Sequence, residues 1–125
     1  MKRIINSSKA PKAAGPYSQA VEVNGTLYIS GQLPIDAATG KFAEGGIREQ
    51  TEQCLKNIAY ILEEAGYGIS DVVKSTVLLA NINDFAAANE VYGSFYKEPY
   101  PARIACQAGK LPMNALVEIE TIATK

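Results

Sequence analysis

Nine residues in the middle of the chain, Val72-Val-Lys-Ser-Thr-Val-Leu-Leu-Ala80, set the strongest limit on its fold. Side chains alternate along a strand, so the stretch divides into Val73/Ser75/Val77/Leu79 and Val72/Lys74/Thr76/Leu78, and both sets are nearly apolar. A strand of this kind needs cover on both faces, which marks it as an interior strand. The rest of the chain must supply neighbours on both edges and apolar surface above and below.

Upstream, Val21-Glu-Val-Asn-Gly-Thr-Leu-Tyr-Ile-Ser30 carries a hairpin. Asn24-Gly25 accepts the positive φ angles of a tight turn, which predicts strands at about 19–23 and 27–31. A short extra strand is expected near Arg3 to Asn6. Leu33 to Gly46 has turn residues in place of periodicity and reads as a connecting loop. From Ile47 the period lengthens: Ile47, Thr51, Cys54, Leu55, Ile58, Leu62 and Ala65 recur at helical spacing, and Gly66 supplies a C-terminal cap. A second helix, capped by Asn83 or Asp84, runs through Phe85, Ala88, Tyr92, Phe95 and Tyr96 and stops before Pro99. Strands at about 103–109 and 116–124 follow.

The order ββαβαββ predicts a single α+β domain over residues 1–125, with one sheet and both helices on one face. Two helices at about 10 Å each cover one face of five or six strands spaced about 4.8 Å apart, and leave the other face bare. Because the interior strand is apolar on both faces, the bare one is expected to meet a further copy of the chain.

Composition narrows the chemistry. The chain has no histidine, and its two cysteines lack clustered partners, so Ser-His-Asp and Cys-His triads are excluded and no metal site is expected. Cys54 and Cys106 lie in apolar segments, as reduced thiols of a cytoplasmic protein would. A net charge of −1 without a basic cluster gives nucleic acid no electrostatic footprint. No apolar run is long enough for a membrane span, and Met1 to Ala14 lacks the apolar stretch of a signal peptide. A small molecule or a protein is the expected partner.

The strand near 103–109 opens on one of only three arginines. Alternation puts Arg103, Ala105, Gln107 and Gly109 on one side and Ile104, Cys106 and Ala108 on the other. In the last strand Glu118 and Glu120 share a side with Leu116 and Ile122, opposite Val117, Ile119, Thr121 and Ala123. Two readings of Arg103 stay open on these grounds. It could pair with Glu118 or Glu120 across neighbouring strands, or present its planar fork to a ligand carboxylate, with Glu120 facing the ligand as a base. Cys106 turns away from Arg103 and is expected to pack rather than react.

Gly15-Pro-Tyr-Ser-Gln19, Ile29-Ser-Gly-Gln32, Asn83-Asp-Phe85, Tyr100-Pro-Ala-Arg103, Leu111-Pro112 and Val117-Glu-Ile-Glu120 occur in an order that resembles the YjgF/YER057c/UK114 family, the RidA-type reactive intermediate deaminases. The resemblance spans essentially the whole chain. It implies a chorismate-mutase-like fold, a single mixed sheet with two helices on one face, assembled as a homotrimer with sites between subunits. It implies hydrolysis of 2-imino acids or their enamine tautomers to 2-oxo acids and ammonia, without a cofactor. Carried over by position, Arg103 would bind the substrate carboxylate and Glu120 would hold the attacking water. Backbone groups at Gly31 and Ala105 would steer the imine nitrogen, with Tyr17, Ser30 and Asn89 shaping the pocket. Many members of that family have a cysteine two residues after the arginine, where this chain has Ala105, so no thiol is expected in the site. The competing reading is a non-catalytic trimeric module that binds 2-oxo acids.

Overall fold

A computed structural model describes residues 1–125 and has the α+β architecture expected. In chain order the elements are β1 (Arg3–Ile5), β2 (Ala20–Val23), β3 (Thr26–Gln32), β4 (Ile35–Asp36), β5 (Lys41–Phe42), α1 (Ile47–Ala65), β6 (Val72–Leu79), α2 (Phe85–Phe95), β7 (Ala102–Gln107) and β8 (Val117–Thr124). Six strands form one sheet in the order β1-β2-β3-β8-β6-β7. Only β6 and β7 run parallel, joined through α2, so the sheet is mixed.

Local chemistry sets the element ends. Asn24 and Gly25 take φ of 50° and 77° at the β2–β3 turn, as the hairpin requires. Gly66 ends α1 in the left-handed region at φ 82°, and its N–H donates to the carbonyls of the last turn. The second helix begins differently from expectation. Neither Asn83 nor Asp84 caps it by its side chain: Asn81 accepts from the Asn83 N–H, starting a single 3-10 turn at Ile82–Asp84 that leads into α2.

The core lies between the helices and one face of the sheet. Leu55, Ile58, Ile61 and Leu62 of α1 meet Leu27, Ile29, Leu79, Val117 and Ile119 of the sheet, all at 2% exposure or less. Each such side chain contributes about 1.5–3 kcal/mol by leaving water.

Three expectations are corrected. The stretch 33–46 is more than a loop, because β4 and β5 pair into a two-stranded ribbon anchored by the buried Asn57, whose amide donates to the Leu33 and Ile35 carbonyls at 3.1 and 2.9 Å. The strand expected at 103–109 ends at Gln107. In β6 the pairing with β8 slips between Val72 and Lys74, so Val72 turns into the core and Val73 out of it. Strand alternation alone cannot show such a bulge.

The face away from the helices is open. Ile4, Tyr28 and Ile104 stand on it at 46%, 49% and 55% exposure, with Leu78 and Ile122 half-buried among them. No helix is long and apolar enough to cross a membrane.

Candidate active site

Arg103 sits on β7 beside Ser75 of β6 and points to the helix-covered face. Its guanidinium donates from Nη1 to Asn89 Oδ1 at 2.7 Å and stacks over two rings of α2, 4.8 Å from the centroid of Tyr92 and 5.4 Å from that of Phe85. No carboxylate pairs with it. The cross-strand ion pair with Glu118 or Glu120 is therefore absent, and the remaining N–H donors of a rigid planar cation border a cavity of about 430 Å³ lined by Asn89, Tyr92, Gly93, Tyr100, Pro101 and Arg103. Ala105, on the same side of β7, packs behind with Tyr92 and Val77.

Glu120 is elsewhere. Thr76 of β6 pairs with Glu120 on one side and Ile104 on the other, which puts the carboxylate on the open face with Ile104 and across the sheet from Arg103. Glu118 shares that face two residues earlier. Partial burial, reinforced by the charge of Glu120, raises the Glu118 pKa above the usual carboxylate value.

Next to these carboxylates the β3–β8 pairing breaks between Ile29 and Gln32, in a bulge that takes Ser30 and Gly31 out of the β8 ladder. Glu118 lies directly over Gly31, where an added Cβ would meet Oε2 at 2.5 Å. Ser30 is fixed by its own turn: its N–H donates to the Gln19 carbonyl at 2.9 Å and its hydroxyl to the Ser18 carbonyl at 2.6 Å. Gln19 is buried. Its side-chain oxygen accepts from the Ser7 N–H at 2.7 Å, and its nitrogen donates to the Ser7 and Pro11 carbonyls, fastening the loop that carries Tyr17. Tyr17, at 53% exposure, lines a second cavity of about 100 Å³ with Gly31, Gln32, Leu33 and Met113.

The expected site residues thus fall into two groups within one chain. Arg103, Asn89 and Ala105 gather at the β7 edge under α2, and Tyr17, Ser30, Gly31 and Glu120 belong to the β3 bulge and the open face. Cys106 keeps the predicted parity opposite Arg103, but it is exposed rather than packed, because nothing in the chain covers that face.

The profile of the family described as endoribonuclease L-PSP matches residues 7–125. The chain belongs to this family, the YjgF/RutC/RidA proteins. Among YjgF/RutC/RidA relatives, a RutC family protein of Pyrococcus horikoshii is 50% identical, over 100% of this chain and 99% of that protein. The 2-iminobutanoate/2-iminopropanoate deaminase of Capra hircus is 52% identical, over 100% of this chain and 91% of that one. A crystal structure of E. coli TdcF with bound serine superposes with a TM-score of 0.93 at 37% identity, covering 98% of both chains.

Two side chains of this family member entered the neighbourhood without being singled out from the sequence. In the sequence Tyr92 reads as helix core, although its spacing from Asn89 puts both on the side of α2 that meets β7. Glu118 reads in the sequence only as an ion-pair partner. Its contact with Gly31 depends on the bulge, which leaves no mark in the alternation of β3.

Proposed function

We propose that this protein hydrolyses reactive 2-imino acids and their enamine tautomers, 2-aminoacrylate/2-iminopropanoate and 2-iminobutanoate among them, to 2-oxo acids and ammonia. The observation that carries this reading is the Arg103 guanidinium, held by two rings and one amide, free of any carboxylate and bordering a cavity. Such a cation suits a bidentate carboxylate ligand. The mammalian relatives named as deaminases of this substrate class, and the amino acid bound to TdcF, support the same choice.

Arg103 and Glu120 face opposite sides of one sheet, so the site requires two copies. The apolar open face of one copy beside the β7 edge of another would unite them, in keeping with a homotrimer that has sites between subunits. Arg103 then binds the carboxylate of the protonated imine. As the water oxygen bonds to C2, Glu120 takes a proton from it, giving a carbinolamine. Glu120 passes that proton to the nitrogen, the C–N bond breaks and ammonia leaves, and the hydroxyl returns its proton to Glu120 as the carbonyl of the 2-oxo acid forms. Backbone groups at Gly31 and Ala105 orient the imine nitrogen, and Tyr17, Ser30 and Asn89 shape the pocket. A protonated imine is already a good electrophile, so positioning and one base suffice.

The test generates 2-iminobutanoate in situ with a dehydratase and follows 2-oxobutanoate and ammonia. Wild type should accelerate hydrolysis, Glu120→Gln should lose turnover while still binding 2-oxobutanoate, and Arg103→Ala should lose both. If wild type binds 2-oxobutanoate without accelerating hydrolysis, the protein is instead a non-catalytic 2-oxo acid-binding module.

A further inference from the structure

The surroundings of Arg103 hold more than the proposed chemistry uses. Phe85, Asn89 and Tyr92 stand at i, i+4 and i+7 of α2, so one helix face supplies the guanidinium's hydrogen bond and both of its ring contacts. Tyr92 is the closer ring, and it is rigid. It is 5% exposed, and its ring packs against Tyr96 at 4.8 Å between centroids and 50° between planes. Arg103 itself is exposed and long, so the fixed partner is the ring and the adjustable one the arginine.

How the arginine is held matters for what it can still bind. A carboxylate neighbour would fix the guanidinium by consuming its N–H donors and neutralising its charge, in direct competition with an anionic ligand. An aromatic face attracts the cation from the side and leaves those donors free. Asn89 takes one N–H, from Nη1, and the others remain for a bidentate partner.

We propose that Tyr92 is a positioning residue: its ring holds the Arg103 guanidinium by cation–π attraction in the orientation that offers the free N–H groups to the substrate carboxylate. The proposal rests on the reading of Arg103 as the carboxylate clamp.

The test keeps the shape of the core and changes only the charge on the ring face. Tyr92→Phe retains the ring, and phenylalanines of increasing fluorination at position 92 withdraw electron density from its face. Affinity for 2-oxobutanoate is read by calorimetry, with KM and kcat for 2-iminobutanoate alongside. Tyr92→Phe should bind within about twofold of wild type, and affinity should fall stepwise with fluorination, by about three- to thirtyfold over the series. The loss should appear mainly in KM and vanish in an Arg103→Ala background. Unchanged affinity across the series, or an equal loss without Arg103, overturns the positioning role while leaving the clamp intact. If Arg103→Ala binds 2-oxobutanoate as tightly as wild type, the clamp reading fails and the role of Tyr92 falls with it.

Discussion

Arg103 and Glu120 lie on opposite faces of one sheet: Ile104, the neighbour of the arginine, shares a row with Glu120 through Thr76 between them. A single chain can therefore complete its core without completing its candidate site.

Gly31 gives Glu118 its place. An added methyl would stand 2.5 Å from Oε2 and 3.1 Å from Cδ, so the carboxylate must swing aside. Gly31→Ala should lower turnover of 2-iminobutanoate by tenfold or more, since displacements of about 1 Å near the chemistry can cost about a hundredfold. Thermal unfolding should change little. Wild-type turnover in the variant would remove the carboxylate-rich face from the mechanism.

Cys106 lies on the face opposite Arg103, in one row with Leu78 and Glu118, so the carboxylate clamp does not use its thiol and hydrolysis should proceed without it. Cys106→Ser should keep kcat/KM within about twofold, the range of a substitution that touches no critical feature. A tenfold loss would bring the thiol into the site beside the carboxylates of the open face.

Asn57 holds two carbonyls of the 33–36 segment from inside the core. Asn57→Ala leaves them without their donor, at a cost of about 1–3 kcal/mol in urea unfolding. The ribbon of β4 and β5 should lose amide protection before α1 does.

Glu22 ties β2 to the N-terminal strand and to Tyr67, just past the cap of α1. It accepts from Arg3 at 2.9 Å and from the Tyr67 hydroxyl at 2.7 Å, and its pKa is lowered chiefly by the Arg3 hydrogen bond and then by that of Tyr67. A carboxyl with a depressed folded-state pKa adds stability above its unfolded value, and that stability is lost as pH falls through the folded one. Glu22→Gln should therefore melt below wild type at neutral pH, with the gap closing on acidification. In the same contact, burial first and the Glu22 hydrogen bond next push the Tyr67 phenol up to about 12, and absorbance titration should find it ionising well above the ordinary phenol value of about 10.

Much of this was legible in the residues. Asn24-Gly25 announced its turn, the spacing from Ile47 to Ala65 drew the long helix, and alternation assigned Arg103, Cys106 and Glu120 to faces within their own strands. The phase between strands was not legible, because a one-residue slip reverses a face and slips are set by tertiary pairing. That is why the ion pair of Arg103 with Glu118 or Glu120 stayed open until the register was known, and why Val72 and Val73 exchanged places. The ribbon of β4 and β5 escaped because two residues per strand carry no period, and its anchor, Asn57, is a polar residue on a helix otherwise read by its apolar stripe.

The strand order has a consequence for synthesis. β8, the last strand to emerge, inserts between β3 and β6 and so joins the early hairpin to the later half of the sheet. Before Val117 to Thr124 leave the ribosome, the six-stranded sheet can exist only as two separate fragments, each exposing an edge that belongs against β8. Completion of the sheet and delivery of Glu120 are thus one event in time, and a chain stalled short of it carries neither.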